Sequence, residues 1–283
     1  MNIDWKKRVM NYYEKTFWDY FLVYFRGGNY SMNYGYWDET VTSRKDSYAR
    51  LYERIADALS IKSGDRVLDA GCGFGEAACF MAKTYGCQVT GVTISPTQVR
   101  KAQEIVRQRN FGDRVSVFLA DYTKTSLPDG SFDAIYAIET IVHLSDKTDF
   151  YLEAYRLLAP GGRLVVAEYI QNKEPKIPLD RQSMEAFLDG WSIPNMWTLN
   201  RHTSAIKRCG FDQVRTEDYS AATDRVARYL YRYSLFGVPV YQLLQQVGMI
   251  DDVRMKDALS CRYQWLTKQK GFWGHAFITA RKP

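Results

Sequence analysis

Between residues 65 and 171 the chain alternates short apolar runs with helix-like stretches, and this rhythm constrains the fold more than any other feature. The runs are "DRVLDA", "CQVTGVT", "RVSVFLA", "FDAIYAIE" and "RLVVAEYI". Each is short and apolar nearly throughout, as a strand covered on both faces must be. Helical patterns at about 74–85, 96–109 and 146–159 fall among them. The second opens at Ser95-Pro96, a serine cap followed by proline at the first helical position. The third ends at "APGGR", whose glycines suit a helix stop. Strands and helices in this alternation imply a parallel sheet with helices on both sides, an α/β fold.

The flanks are organised differently. Residues 5–26 read as a helix stopped by Gly27 and Gly28, and "NYSMNYGYWDET" reads as an aromatic loop. Residues 40–60 read as a second helix, with Leu51, Ile55, Ala58 and Leu59 at helical spacing. After the fifth strand the rhythm loosens. A helix is expected near 198–209, a sixth strand at "FDQVRTEDYS", a long helical stretch over 221–269 and a last strand at "GFWGHAFITARKP". The expected organisation is a helical cap over 1–60, an α/β core over 61–220, a helical lid inserted over 221–270 and a final core strand over 271–283.

Composition narrows the partners. The net charge is +6 and carries no long run of like charge, which argues against nucleic acid. Aromatic residues reach 15%, including 21 tyrosines, more than an α/β core needs and enough to line an apolar pocket. The five cysteines have no zinc spacing, so reduced thiols, a cytoplasmic location and no metal are expected. No signal peptide or membrane span is read, although "YLYRYSLFGVPVYQLL" is apolar enough to touch lipid or a greasy ligand. A homodimer is compatible with the sequence.

In a parallel sheet, ligands bind at the carboxyl ends of the strands. The first strand ends in "VLDAGCGFG", where Gly71, Gly73 and Gly75 allow a tight turn before a helix N-terminus. A dinucleotide would set its pyrophosphate there, and Asp69 would repel it. A dinucleotide site also wants an acidic residue about 20 positions on, where the second strand ends instead in Thr93. S-adenosylmethionine has no phosphate, and Asp69 would attract its ammonium. Asp121, at the end of the third strand, could accept a hydrogen bond from an adenine amino group, with Tyr122 offering an aromatic face. Both aspartates can also be read as turn caps.

Together, "VLDAGCGFG", "GVTISPTQVRKAQE", "ADYTKTSLPDGSFDAIYAIETIVHL" and "LLAPGGRLVVAEY" resemble the class I S-adenosylmethionine-dependent methyltransferases. The likeness is closest to the small-molecule branch of sterol, tocopherol, natural-product sugar and cyclopropane-forming enzymes, and is strong over about 30–170. It implies a Rossmann-like, mostly parallel seven-stranded sheet with an antiparallel last strand. It also implies S-adenosylmethionine as cofactor, S-adenosylhomocysteine as product and a hydrophobic small-molecule acceptor. Most such enzymes close the second strand with an acidic residue for the ribose hydroxyls. Here that contact is left to Thr93 and Gln98. By the same resemblance Tyr30, Tyr34 and Trp37 wall off the sulfonium, whose charge aromatic faces attract. Packing of the N-terminal helix on the core is the other use for these rings.

Methyl transfer to oxygen needs alignment and a base. His143 follows the fourth strand, and Glu168 ends the fifth. The resemblance to sugar O-methyltransferases implies a His143–Glu168 dyad, while a structural role for the histidine stays open. Glu139, ending the fourth strand, matches a glutamate of related C-methyltransferases that stabilises a cation or accepts a proton, and could instead anchor the next helix. His202 and His275 read as structural or surface residues. In the lid, Tyr229, Tyr233 and Phe236, with Trp191 and Trp197 from the loop after the fifth strand, are candidates for an apolar substrate pocket, or else for plain helix packing. Arg225, Arg228 and Arg232 keep a prenyl-diphosphate C-methyltransferase open. A methyltransferase fold acting as a scaffold or catalysing another reaction is a second alternative. A nicotinamide-dependent oxidoreductase is disfavoured by Asp69 and Thr93.

Overall fold

Side chains alternate faces along a strand, and here both faces are apolar, so two helical layers are required to cover the sheet. The computed structural model describes residues 4–23 and 28–283. Among them, β1 (Arg66–Ala70), β2 (Gln88–Thr93), β3 (Val115–Leu119), β4 (Phe132–Ile138), β5 (Leu158–Gln171), β6 (Asp212–Asp218) and β7 (Trp273–Arg281) form one sheet in the order β3-β2-β1-β4-β5-β7-β6. The pairings from β3 to β5 are parallel, and β7 runs antiparallel to both β5 and β6. The order reverses between β1 and β4, which places a ligand cleft at the end of β1.

Val67, Val89, Ala134, Val165 and Phe277 point into one core, with α2 (Arg44–Leu59), α3 (Glu76–Tyr85) and α4 (Pro96–Gln108) against them. Leu68, Val92, Ile135, Val166 and Ile278 point into the other, under α5 (Thr148–Leu157) and α7 (Leu199–Arg208). The remaining helices are α1 (Trp5–Val23), α6 (Pro178–Gly190), α8 (Asp224–Gln246) and α9 (Asp252–Gln269). Ser95 caps α4 as expected, its hydroxyl accepting from the Gln98 N–H at 3.2 Å. No helix among the described residues is long and apolar enough to cross a membrane.

Three expectations are revised. Helix α5 stops at Leu157, and "APGG" becomes the first part of β5, because its glycines pair with the segment after β7 rather than capping a helix: the Gly161 N–H donates to the Lys282 carbonyl at 2.9 Å and the Lys282 N–H to the Gly162 carbonyl at 2.8 Å. The loosened segment contains α6, which starts on Pro178 and buries Met184 and Phe187. The 221–269 stretch is two helices, broken at Val247–Asp251, where Gly248 has φ +73° and Asp251 caps α9. Helix α1 is described only to Val23, so the expected stop at Gly27 lies outside the described residues.

Candidate active site

A cavity of about 730 Å³ opens where β1, β2, β3 and β4 end. The loop after β1 wraps one side. Its Gly71 and Cys72 N–H groups both donate to the Val92 carbonyl, at 2.9 and 3.0 Å, binding the turn to β2. Gly71 has φ +85°, and a Cβ there would lie 2.1 Å from Thr140 Oγ1, so no other residue lets the loop lie against the end of β4. Helix α1 closes the cavity from above with Trp5, Val9 and Tyr13.

Asp69 faces this cavity at 2% exposure. Its Oδ2 accepts from the Tyr136 hydroxyl at 2.9 Å. Burial pushes its carboxyl up to about 7, the phenol offsetting only part of the cost. A buried carboxylate so thinly satisfied suits an ammonium group, and the adjoining glycine turn leaves room for an amino-acid chain. The site therefore fits S-adenosylmethionine. Thr93 and Gln98 also line the cavity, joined by a 2.6 Å bond from the threonine hydroxyl to the amide oxygen. Asp121 lines the cavity and also acts as a turn cap: its Oδ1 takes the N–H and hydroxyl of Thr123, while its Oδ2 pairs with Lys6 of α1. Tyr122 lines the wall with its hydroxyl donated to the Thr140 carbonyl at 3.0 Å.

The aromatic loop divides. Tyr30 reaches the cavity. Tyr34 does not: its ring lies behind the wall against His275, its hydroxyl donates to Gln264, and its N–H donates to Glu139. Trp37 is a correction too, because its ring lies under the Arg225 guanidinium, 4.2 Å from the centroid, away from the cavity.

His143 lines the cavity, but its expected partner is elsewhere. The Glu168 carboxylate, 0% exposed, accepts from the backbone N–H of Val142 and of Tyr169, at 2.9 and 2.8 Å. It thereby anchors the turn that carries His143, and burial raises its pKa while Lys147 opposes the shift. The histidine's own nitrogens go to the Ser192 carbonyl at 3.1 Å from Nδ1 and to the Tyr13 hydroxyl at 2.9 Å from Nε2. A carbonyl can only accept, so Nδ1 carries the proton and Nε2 accepts from Tyr13. Burial lowers the imidazole to about 4, keeping it neutral at pH 7 and able to take a proton. Tyr13 was not singled out in the sequence. Its signal is the spacing of Val9 and Tyr13 on the buried side of α1.

Glu139 ends β4, lines the cavity and has φ +50°, a strained conformation for a side chain of its size. Burial pushes its carboxyl up to about 8. His275, read as structural or surface, is buried beside it, 3.6 Å from Nε2 to Glu139 Oε1. The signal was the period-2 run Trp273, His275, Phe277, which puts a histidine on an otherwise aromatic face.

A second, smaller cavity of about 60 Å³ lies between α1, α8 and α9 and shares Met32 with the first. Trp191 and Tyr233 line it, together with Tyr34, Tyr241 and Asp257. The other three substrate candidates lie elsewhere. Phe236 is 81% exposed, because it sits on the outer side of α8. Tyr229 is on the surface under Arg44, and Trp197 is buried at the end of β5 beneath Arg201. Arg228 stacks on Trp265. The ionisable side chains lining this cavity include Asp19 and Asp257 but no arginine among the described residues.

Residues 68–166 match the family described as "Methyltransferase domain". The 27-O-demethylrifamycin SV methyltransferase of Amycolatopsis mediterranei is 32% identical over 193 residues, covering 68% of this chain and 71% of that protein. The sterol 24-C-methyltransferase of Eremothecium gossypii is 32% identical over 251 residues, covering 86% of this chain and 66% of that protein. Among solved structures, the cyclase SpnF superposes with a TM-score of 0.79 at 25% identity, over 98% of this chain and 96% of that one. With this likeness joined to the fold and to the Asp69 loop, the chain belongs to the S-adenosylmethionine-dependent methyltransferases.

Proposed function

We propose that this enzyme transfers a methyl group to an oxygen or nitrogen atom of an apolar small molecule. The observation that carries the reading is the 2.9 Å bond from the Tyr13 hydroxyl to His143 Nε2 in the wall of the cavity that holds Asp69. S-adenosylmethionine, when bound, supplies a methyl group already activated on a sulfonium. Asp69 holds the ammonium end. Thr93 and Gln98 take the ribose, and Asp121 takes the adenine once Lys6 yields. An acceptor hydroxyl donating to the Tyr13 oxygen loses its proton there while the Tyr13 proton passes to His143. The imidazolium so formed keeps its Nδ1–H on Ser192. The acceptor body shares the larger cavity, and the smaller one, which joins it at Met32 and is lined by Trp191 and Tyr233, has room only for an end of it. In this reading residues 1–60 and 221–270 are the cap and lid of a cytoplasmic enzyme whose core is 61–220, closed by 271–283.

The smaller cavity is lined by no arginine among the described residues, which gives a diphosphate no charged partner there. Transfer to carbon is the second reading, supported by Glu139 in the cavity wall and by the likeness to a sterol 24-C-methyltransferase. The test is a methyl-labelled cofactor offered with phenolic, sugar, amine, alkene and prenyl-diphosphate acceptors. Label is expected on a hydroxyl or amine, with S-adenosylhomocysteine released. Tyr13→Phe and His143→Asn are expected to lower turnover at least about a hundredfold, the low end for loss of a general base, with cofactor affinity unchanged by calorimetry. Label only on alkenes, or full turnover in both variants, overturns the proposal. A transformed acceptor without S-adenosylhomocysteine would move the enzyme to the non-methylating alternative.

A further inference from the structure

His275 lies at the centre of an aromatic box. The rings of Tyr169, Tyr34, Tyr219 and Trp273 surround it at centroid distances of 4.6, 4.9, 5.4 and 5.5 Å. Its hydrogen bonds can be fully counted. The Thr223 hydroxyl gives its single proton to the Ser220 carbonyl at 2.8 Å, and lies 3.2 Å from His275 Nδ1. That hydroxyl can then only accept from the ring, so Nδ1 carries the hydrogen. Nε2 of the neutral ring is therefore a bare lone pair. It is buried without a hydrogen-bond partner among the described residues, and the nearest carboxyl oxygen is Glu139 Oε1 at 3.6 Å.

A lone pair facing a carboxylate oxygen among buried aromatic rings is repulsive unless a proton lies between them. Glu139 is held in place for this contact. Its N–H donates to the Ala167 carbonyl at 2.8 Å, and its Oε1 accepts the Tyr34 N–H at 3.1 Å, which maintains the φ of +50°. The surrounding charges come from three elements. Glu168 on β5 disfavours a second negative charge. Lys268 on α9, paired with Asp224 of α8, disfavours a positive imidazole. A single shared proton is the arrangement both neighbours permit.

The geometry points to a Glu139–His275 pair that holds one proton across the back wall of the methyl-transfer cavity, with His275 as the positioning residue. In one form the proton stays on Glu139 and points at Nε2 across the 3.6 Å gap, becoming a hydrogen bond as the two side chains close on each other. In the other the O–H bond is broken, an N–H bond is formed, and a carboxylate faces the cavity beside an imidazolium. The net charge of the pair is the same in both, so the wall can offer a carboxylate to a developing cation without leaving an isolated buried charge. This pair deepens the reading of Glu139 as a cavity group, and it does not depend on which atom is methylated.

Nuclear magnetic resonance of the protein labelled with ¹⁵N-histidine tests it without an acceptor. The chain has three histidines, so His143→Asn and His202→Asn assign the spectrum. His275 is expected as the Nδ1–H tautomer, with its Nε2 signal displaced from the free pyridine-like position. In Glu139→Ala that signal is expected to return to the pyridine-like position. An Nε2–H tautomer in the unaltered protein overturns the inference, whether or not the variant folds, as does an Nε2 signal that Glu139→Ala leaves unmoved. Thr223→Val is the second variant: the Nδ1–H tautomer is expected to persist, because the Glu139 proton keeps Nε2 an acceptor, and a switch to Nε2–H overturns the pair. Failure of methyl transfer is read separately, from the release of S-adenosylhomocysteine.

Discussion

A carboxyl group buried behind a glycine turn with one phenol for company destabilises the protein that carries it, and Asp69 is such a group. Its pKa is about 7 in the folded chain against 3.8 when unfolded. Below pH 3.8 both states hold the proton and the residue costs nothing. Between 3.8 and 7 only the unfolded state has released it, so stability falls as pH rises, and above 7 the full penalty is present. Asp69→Asn removes the charge and leaves an amide for Tyr136. Without cofactor the variant should be more stable than the parent at pH 8, by roughly 2–4 kcal/mol for a shift of this size, and equal to it near pH 3.5. Chemical denaturation at the two pH values reads this directly. The same variant should lose cofactor binding, and parental affinity should weaken as pH drops below 7. The place of Asp69 in the cavity wall was legible in the sequence, because a glycine turn follows it at the end of a strand. Roles defined by a partner were not: Glu168 looked like an orienter for His143 and instead holds backbone N–H groups, and His275 gains meaning only beside Glu139.

At the scale of elements, the βα alternation was legible because the strands are short and apolar and because α4 announces its start with Ser95 and Pro96. The exceptions have local causes. Helix α6 was missed because its start has no serine or aspartate cap, only Ile177 before Pro178. The break between α8 and α9 was missed because Asp251 caps a helix inside an otherwise continuous pattern. Where an element's cap is shared, one side chain has two effects. The Ser95 hydroxyl caps α4 and also donates to Glu14 of α1 at 2.8 Å, and Glu14 accepts from Thr97 at 2.7 Å as well. Ser95→Ala should cost about 1–2 kcal/mol, the upper part of the range for a lost N-cap. Thr97→Ala loses an exposed bond that caps nothing and should cost under about 0.5 kcal/mol, as surface changes do. Melting curves of the two variants separate the cap from the surface bond, and equal losses would contradict the assignment.

For the whole molecule, the two ends of the sequence meet over the cofactor cavity. Helix α1 forms its roof, and a line of polar contacts fastens α1 to the α8–α9 pair. Tyr12 donates to Asp257 at 2.8 Å, Lys15 pairs with Asp251, and Asp19 takes Arg254 Nη2 and Nε, at 2.6 and 2.9 Å, together with the Tyr241 hydroxyl. The sequence placed helices at both ends as candidate covers. It could not disclose that they fasten together, since Asp19 and Arg254 are 235 positions apart. Asp19 is 5% exposed, so removing it strands a guanidinium and a phenol. Asp19→Ala should therefore cost about 3–5 kcal/mol, as breaking one side of a buried pair does. If α1 must lift for the cofactor to exchange, the loss appears as a faster off-rate, because the closed state is the one weakened. Trp5 lines the cavity and supplies a fluorescent signal for stopped-flow measurement. S-adenosylhomocysteine release should accelerate at least about tenfold, which is 1.4 kcal/mol of the lost fastening. Lys6→Ala, which removes only the Asp121 pair, should give a smaller increase. An off-rate unchanged in Asp19→Ala, with the fold intact, would mean that the cofactor enters by a route that leaves α1 in place.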